Sequence, residues 1–160
     1  RSRATPLDGR NLAHCGAIGL MAREASGDHM TTWVTICETC KREDWAARAV
    51  EKTDGVRLAE AVERLADPGD GQVRIRRHAC LMGCGKGCNV AIQGAGKLSY
   101  RLGDFTPDED SAQAILDYAR LHAQSDTGQV PYREWPQGVK GHFVTRHPPL
   151  PEADEGNARD

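Results

Sequence analysis

The spacing of hydrophobic residues predicts four short strands in the middle of the chain. The stretch "TTWVTIC", residues 31–37, is rich in β-branched and aromatic residues, which favours a short buried strand that ends at Cys37. In "QVRIRRHA", residues 72–79, apolar and basic side chains alternate, which predicts a half-buried strand leading into Cys80. "NVAIQ" and "KLSYRLG" flank "GAG", so they are predicted to form a hairpin.

A helical spacing of apolar residues separates the first two strands. Residues 43–52 and 56–66 are predicted to be helical, with "TDG" dividing them. Gly55 is a poor helix former, and Asp54 can cap the second piece.

A second helix is predicted after the hairpin. "TPDED" offers Thr106 as the N-cap, Pro107 at the first helical position and Glu109 three residues past the cap. Five apolar residues then share one helical face: Ala112, Ile115, Leu116, Ala119 and Ala123. This face is expected to pack on the sheet.

The predicted elements follow the order strand, helix, strand, cysteine loop, strand, strand, helix. A mixed sheet flanked by helices is the economical layout for this order, an α/β (α+β) fold of the βαβ-ββα type. We expect residues 1–29 to be a flexible leader or cloning-derived extension and residues 30–124 to be the folded domain. Residues 125–160 form a Pro/Gly-rich arm and tail, anchored by Tyr132, Trp135 and Phe143, with "EADEGNARD" disordered.

Composition narrows the possible functions. The net charge is −2, and the basic residues do not form a stripe, which argues against nucleic-acid binding. No apolar run approaches the roughly 20 residues of a membrane helix. We find no secretory signal, so a cytoplasmic location is expected, where clustered cysteines more often bind metal or perform redox chemistry than form disulfides.

Five of the six cysteines lie in two short groups. Cys37 and Cys40 form "CETC" after the first strand, and "CLMGCGKGC" places Cys80, Cys84 and Cys88 after the next. Since two strand ends can lie side by side, the groups can converge on one site. Four thiolates satisfy either tetrahedral zinc or an iron–sulfur cluster, so the sequence predicts a metal or cluster site and leaves the metal open.

The C-x-x-C motif and His78 each have a second interpretation. A C-x-x-C between a strand and a helix is also typical of thiol–disulfide oxidoreductases. Thioredoxins, however, have a cis-proline facing the dithiol, and this chain has no proline between Pro68 and Pro107. His78 is a candidate nitrogen ligand, although a histidine without a ligand role is the simpler interpretation.

Two further features of the sequence concern thiols and charge near the site. Cys15 stands alone and is expected to be an uninvolved thiol. Four basic residues crowd the cysteine loop, and they either steer an acidic redox partner or form a solvated strand face: Arg74, Arg76, Arg77 and Lys86.

The order of elements, with "CLMGC" before the hairpin and "YRLGDFTPDEDSAQAILDYARL" after it, resembles the thioredoxin-like [2Fe-2S] ferredoxins. Over about residues 31–150 the chain is most similar to small bacterial proteins described as predicted metal-binding and sometimes associated with cobalamin genes. The resemblance implies a [2Fe-2S] cluster ligated by Cys80 and Cys84 together with Cys37 and Cys40. The first pair is more closely spaced than in the ferredoxins, which makes Cys88 a candidate replacement ligand.

The function expected from the sequence is therefore single-electron transfer to a redox partner protein, with zinc or cobalt binding as the alternative. No Gly-rich phosphate loop follows a strand and no Ser, His and Asp arrangement stands out, so we do not expect an enzyme. Many thioredoxin-like ferredoxins form homodimers, but no residue in this chain decides the oligomeric state.

Overall fold

Residues 31–151 are described by a computed structural model, and they contain five strands and two α-helices. The strands are β1 (Thr32–Cys37), β2 (Val73–His78), β3 (Val90–Gly94), β4 (Ser99–Leu102) and β5 (Phe143–His147). The helices are α1 (Asp54–Leu65) and α2 (Glu109–Gln124), with 3₁₀ turns at Trp45–Arg48, Tyr132–Glu134 and Gln137–Val139. The predicted extension 1–29 with Cys15, and the tail 152–160, lie outside the described residues.

The strands form one mixed sheet in the order β2-β1-β3-β4-β5. β1 and β2 are parallel and joined through α1, whereas β3, β4 and β5 each pair antiparallel with the preceding neighbour in the sheet. Parallel neighbours need a crossover connection, and α1 provides it. The predicted mixed sheet with a βαβ unit followed by ββα is confirmed, and this arrangement is compatible with a thioredoxin-like fold.

Both helices pack on the same face of the sheet. Inward-facing strand residues such as Val34, Ile36 and Ile92 are buried against them. The five apolar residues predicted to line one face of α2 are all buried, which confirms that expectation. Within residues 31–151, no helix covers the opposite face, and no helix is long and apolar enough to cross a membrane.

The predicted helix at 43–52 is wrong: only the 3₁₀ turn Trp45–Arg48 forms there. The reason lies in Asp54, whose buried carboxylate accepts hydrogen bonds from Arg48 and from the backbone N–H of Arg42. These bonds fold the segment back onto the start of α1. The N-cap of α1 is Thr53, whose hydroxyl accepts from the N–H of Val56 at 3.2 Å, and not Asp54.

The cap of α2 also differs from the prediction. Asp108, not Thr106, is the N-cap, and its carboxylate accepts from the N–H of Ser111 at 2.9 Å. A carboxylate at this position satisfies a free helix N–H and also interacts favourably with the helix dipole, so the helix begins two residues later than the capping box suggests.

The C-terminal arm is more closely integrated than the sequence suggests, because β5 pairs with β4 and adds a strand to the sheet. Trp135 and Phe143 pack against each other with ring centroids 4.1 Å apart and contact the core. Tyr132, by contrast, is 65% exposed and contacts Trp135 in a tilted arrangement, with ring centroids 5.1 Å apart. Val139 is fully buried and is an anchor that the sequence analysis did not identify.

His122 links α2 to the sheet from a fully buried position. Its Nε2–H donates to the carbonyl of Leu98, and its Nδ1 accepts from the hydroxyl of Thr32, both at 2.8 Å. Burial lowers the pKa of His122 despite the hydrogen bond to Leu98, and the charge of Lys97 lowers it further.

The free energy of unfolding should therefore decrease as the pH falls below about 6.5, the ordinary pKa of histidine. The pKa of His122 in the folded state lies below its pKa in the unfolded state, so over this range only the unfolded chain binds the proton. The stabilisation contributed by neutral His122 is therefore complete above about pH 6.5 and is lost as the pH falls toward the folded-state pKa. Urea unfolding at about pH 7.5 and about pH 5.5 measures the change. His122→Gln serves as the reference, and an undiminished pH dependence in that variant over this window would contradict the assignment.

Candidate metal centre

The two cysteine groups meet at the edge of the sheet where the parallel strands β1 and β2 end. Cys37 is opposite His78 in the register of these strands. Pairing continues past the strand ends, because Glu38 N–H donates to His78 O at 2.9 Å and Thr39 N–H to Ala79 O at 3.3 Å. The "CETC" turn is thereby held beside the residues that lead into Cys80.

The other side of β1 is fixed by the far end of the cysteine loop. The N–H of Cys37 donates to the carbonyl of Asn89 at 3.0 Å. Because β2 precedes the loop and β3 follows it, β1 lies between the two ends of the segment 80–88. The sheet order therefore brings the first cysteine group between the two ends of the loop that carries the second.

Cys37 and Cys40 are both buried, and each affects the pKa of the other. Burial raises the pKa of Cys37, but hydrogen bonds from the Leu81 backbone, Cys40 and Thr39 outweigh it and hold the pKa below its ordinary value. Burial raises the pKa of Cys40, and the neighbouring Cys37 raises it further. The pKa of Cys37 is therefore lowered and the pKa of Cys40 raised from the ordinary cysteine value.

Asn89 is the residue at this site that the sequence analysis missed. It is fully buried, and both its backbone N–H and its side-chain Nδ2 lie 3.4 Å from Cys40 Sγ. Nδ2 also donates to the carbonyls of Gly83 and Lys86, each at 2.6 Å. Asn89 thus connects the two cysteine groups, and a polar residue at the very start of an apolar strand was the available signal.

Cys80 and Cys84 are more accessible than the first pair. Cys80 is partly buried, and its sulfur accepts from the N–H of Met82 at 3.4 Å. Cys84 is exposed and borders a cavity of about 500 Å³ between residues 41–44 and the turn 84–87.

Cys88 differs from the other four described cysteines because it lies in the hydrophobic core. It is fully buried, and its backbone has a φ of 56°. Burial together with the negative charges of Asp54 and Cys40 raises the pKa of its thiol to about 12. Cys88 is therefore a neutral thiol at neutral pH.

Cys37, at the end of β1, and Cys40, in the turn after it, are buried, and Cys80 follows the adjacent strand β2. Within the described part of the chain, however, no three side chains of Cys, His, Asp or Glu are close enough together to form a metal site. A four-thiolate centre would therefore require the glycine-rich loop 80–88 to bring both Cys80 and Cys84 toward the first pair.

The remaining candidates have other partners. His78 Nδ1 hydrogen-bonds the backbone of Cys80, at 3.0 Å from its oxygen and 3.3 Å from its nitrogen, rather than a sulfur. Arg77 is engaged by Glu63 and Glu38 on the helix-covered side. Lys86 lies 4.0 Å from the carboxylate of Asp104. These three residues are occupied in structural contacts, whereas Arg74 and Arg76 lie on the open face of the sheet over Trp33.

The start of α1 holds the "CETC" turn in place. Gly55 N–H donates to the carbonyl of Cys40 at 3.0 Å, and the hydroxyl of Thr53 donates to the carbonyl of Glu38. A side chain at Gly55 would overlap the carbonyl oxygen of Cys37. The helix therefore approaches the turn so closely that only glycine fits there.

A family model with the description "Protein of unknown function (DUF1636)" matches residues 34–149, a span from β1 to just past β5. No curated protein and no solved structure matches the chain.

Proposed function

We propose that this chain, which belongs to the "Protein of unknown function (DUF1636)" family, holds a cysteine-ligated [2Fe-2S] cluster and carries single electrons. The observation that carries the proposal is the pair of backbone N–H donors directed at two cysteine sulfurs: Asn89 to Cys40 and Met82 to Cys80, each at 3.4 Å. Iron–sulfur thiolates accept such hydrogen bonds, which adjust the reduction potential of the cluster.

The ligands we propose are Cys37, Cys40, Cys80 and Cys84. Cys40 and Cys80 have the N–H donors, and Cys37 is buried with Cys40 in the same turn. Cys84 has the exposure and the glycine neighbours that allow its side chain to turn inward. We leave out Cys88 because its thiol lies in the core. When bound, the cluster would supply reversible one-electron redox chemistry.

The sheet order is a second support, because it is compatible with the thioredoxin-like fold of the ferredoxins that the sequence resembles. We propose an electron carrier that acts with a redox partner protein and not an enzyme with its own substrate. Cys80 and Cys84 lie on the accessible side of the site, so electrons would leave through the surface formed by residues 80–86.

Metal content and the visible spectrum of anaerobically purified protein test this proposal. We expect charge-transfer bands that dithionite bleaches, with about two irons and two acid-labile sulfides per chain. Cys84→Ala should lose most of the bound iron and leave the free energy of unfolding of the metal-free protein unchanged, because the side chain it removes is exposed. Cys88→Ala, which removes a core thiol, should keep the iron although it lowers stability.

Other results would contradict the cluster in distinguishable ways. A featureless spectrum with about one zinc per chain would replace it by a zinc site. Protein without metal that reduces a model disulfide would assign the Cys37–Cys40 pair to dithiol chemistry. Loss of iron in Cys88→Ala but not in Cys84→Ala would show that Cys88 and not Cys84 is a ligand. The proposal of a cluster would then stand with a different ligand set.

A further inference from the structure

The sheet face without a helix contains two adjoining cavities that the proposed cluster does not use. The smaller, of about 160 Å³, is bordered by Leu81, Ala91, Gln93, Ser99, Tyr100, Arg101 and His147. The larger, of about 570 Å³, shares Gln93, Ser99 and His147 with it and extends to Trp33, Arg76 and the segment 148–150. Together they form one groove, the open-face groove, across β1, β3, β4 and β5.

The head of the groove has an uncompensated positive charge. Arg101 Nε is buried and has no hydrogen-bond partner within the described part of the chain. Among residues 31–151 no carboxylate forms an ion pair with Arg101, and neither cavity is lined by Asp or Glu. A buried guanidinium N–H without an acceptor is costly, so an anionic group, which residues 31–151 do not place here, would be stabilised at this position.

Arg101 is held in this position and does not extend freely into solvent. A side-chain carbon at Gly83 would lie 2.5 Å from Arg101 Nη2, which shows that the guanidinium fills the space under the cysteine loop. The neighbouring Ser99 and His147 face each other across the β4–β5 pair. The guanidinium, a hydroxyl and an imidazole therefore lie around one small cavity, and all three are suited to donate to oxyanion oxygens.

The body of the groove has a different character. The indole of Trp33 forms part of its floor, and Pro148, Pro149 and Leu150 form one side. Leu150 is 91% exposed, so its apolar surface is available to a ligand. An anionic head with an apolar or planar body would match the groove along its length.

We propose that the open-face groove binds a small organic anion, with a carboxylate or phosphate head at Arg101, Ser99 and His147 and an apolar body over Trp33 and Leu150. The groove begins at Leu81 of the cysteine loop, so the organic anion would lie beside the candidate metal centre. It would not contact the cysteines proposed to bind the cluster. The inference does not depend on the proposed cluster.

Titration of the full chain with phenyl phosphate, benzoate and inorganic phosphate, at constant ionic strength and followed by ¹H–¹⁵N NMR, tests the proposal. Shifts should concentrate at Ser99, Arg101 and His147, and an organic anion should bind at least about tenfold more tightly than inorganic phosphate. Arg101→Gln should weaken that binding by about tenfold or more, because the charge-assisted bonds are lost. Arg74→Gln removes an equal charge from the same face but lines neither cavity, so it should change binding by less than about twofold.

A second variant separates loss of binding from disturbance of the cysteine loop, which Arg101 contacts. His147→Asn, at the exposed end of β5, should lower the affinity for the organic anion by about threefold or more, and the unfolding midpoint should stay the same. An equal loss of affinity in all three variants would show that the anion binds through general surface charge, and it would overturn the proposal. Absence of saturable binding by the unmodified chain, or equal affinity for inorganic phosphate, would also overturn it.

Discussion

Replacing Asp54 with alanine should lower the free energy of unfolding by about 3–5 kcal/mol, because it leaves the N–H of Arg42 and the guanidinium of Arg48 without their buried acceptor. The Asp54 side chain is fully buried. One of its oxygens lies 2.7 Å from Arg48 Nη2 and 2.8 Å from the N–H of Arg42, and the other lies 3.7 Å from Arg57 Nη1. The carboxylate thus fixes both the segment 41–53 and the first turn of α1, which together hold the "CETC" turn.

The matched control is Asp44→Ala. Asp44 contacts the same Arg48 at 3.1 Å, but its side chain is 63% exposed. Water replaces such a partner at little cost, so we expect a loss of less than about 1 kcal/mol. Urea unfolding of both variants at about pH 7 provides the comparison. Equal losses in the two variants would show that the burial of Asp54 does not determine its contribution.

The same carboxylate predicts an acid transition. Burial raises the pKa of Asp54, but the hydrogen bonds from Arg48 and from the N–H of Arg42 outweigh it and hold the pKa below its ordinary value. Because the folded pKa is below the unfolded one, this contribution is complete above about pH 4 and is lost as the pH falls toward the folded value. As the pH falls below about 4, the free energy of unfolding of Asp54→Ala should therefore decrease less than that of the unmodified chain.

The parts of the fold that depend on local patterns were predictable from the sequence. The strand ending at Cys37 and the apolar face of α2 rest on residues a few positions apart, where period and propensity act directly. The β3–β4 hairpin likewise needs only its short turn and two apolar runs. These elements form where the local patterns place them because no distant contact opposes them.

The elements that depend on distant partners were not predictable in this way. β5 is short and follows a proline-rich segment, and it becomes a strand because the edge of β4 offers unpaired backbone groups. Residues 43–52 have a helical pattern, yet the charge on Asp54 draws them into a turn. In both cases a tertiary interaction outweighs weak local propensity.

The same distinction between local patterns and distant contacts applies to the candidate site. That Cys37 and Cys80 lie at or just after the ends of neighbouring strands follows from the βαβ unit predicted for β1, α1 and β2. The burial of Cys88 does not follow from spacing, because cysteines in a glycine-rich loop can turn inward or outward with similar local cost. The role of Asn89 depends on carbonyls at Gly83 and Lys86 that only the folded loop brings within reach.

Gly55→Ala is the second substitution for which we expect a large loss, about 3 kcal/mol in the free energy of unfolding. The new Cβ would overlap the carbonyl oxygen of Cys37 and lie 2.9 Å from the carbonyl carbon of Glu38. These are backbone atoms at the end of β1, so neither can rotate away as a side chain would. The helix and the "CETC" turn must separate, which breaks the bond from Gly55 N–H to Cys40 O.

Gly71→Ala is the matched control, because a Cβ at Gly71 would have no atom within 4 Å. It should change the free energy of unfolding by no more than about 0.5 kcal/mol. Urea unfolding measures both variants, and the environment of the Cys37–Cys40 pair can be followed by the rate at which these buried thiols react with a thiol reagent. In Gly55→Ala that rate should rise, because separation of the turn from α1 exposes the pair, whereas in Gly71→Ala it should not change. A Gly55→Ala protein as stable as the Gly71→Ala protein would mean that the turn is not held by α1, and the argument that this helix positions the first cysteine pair would fail.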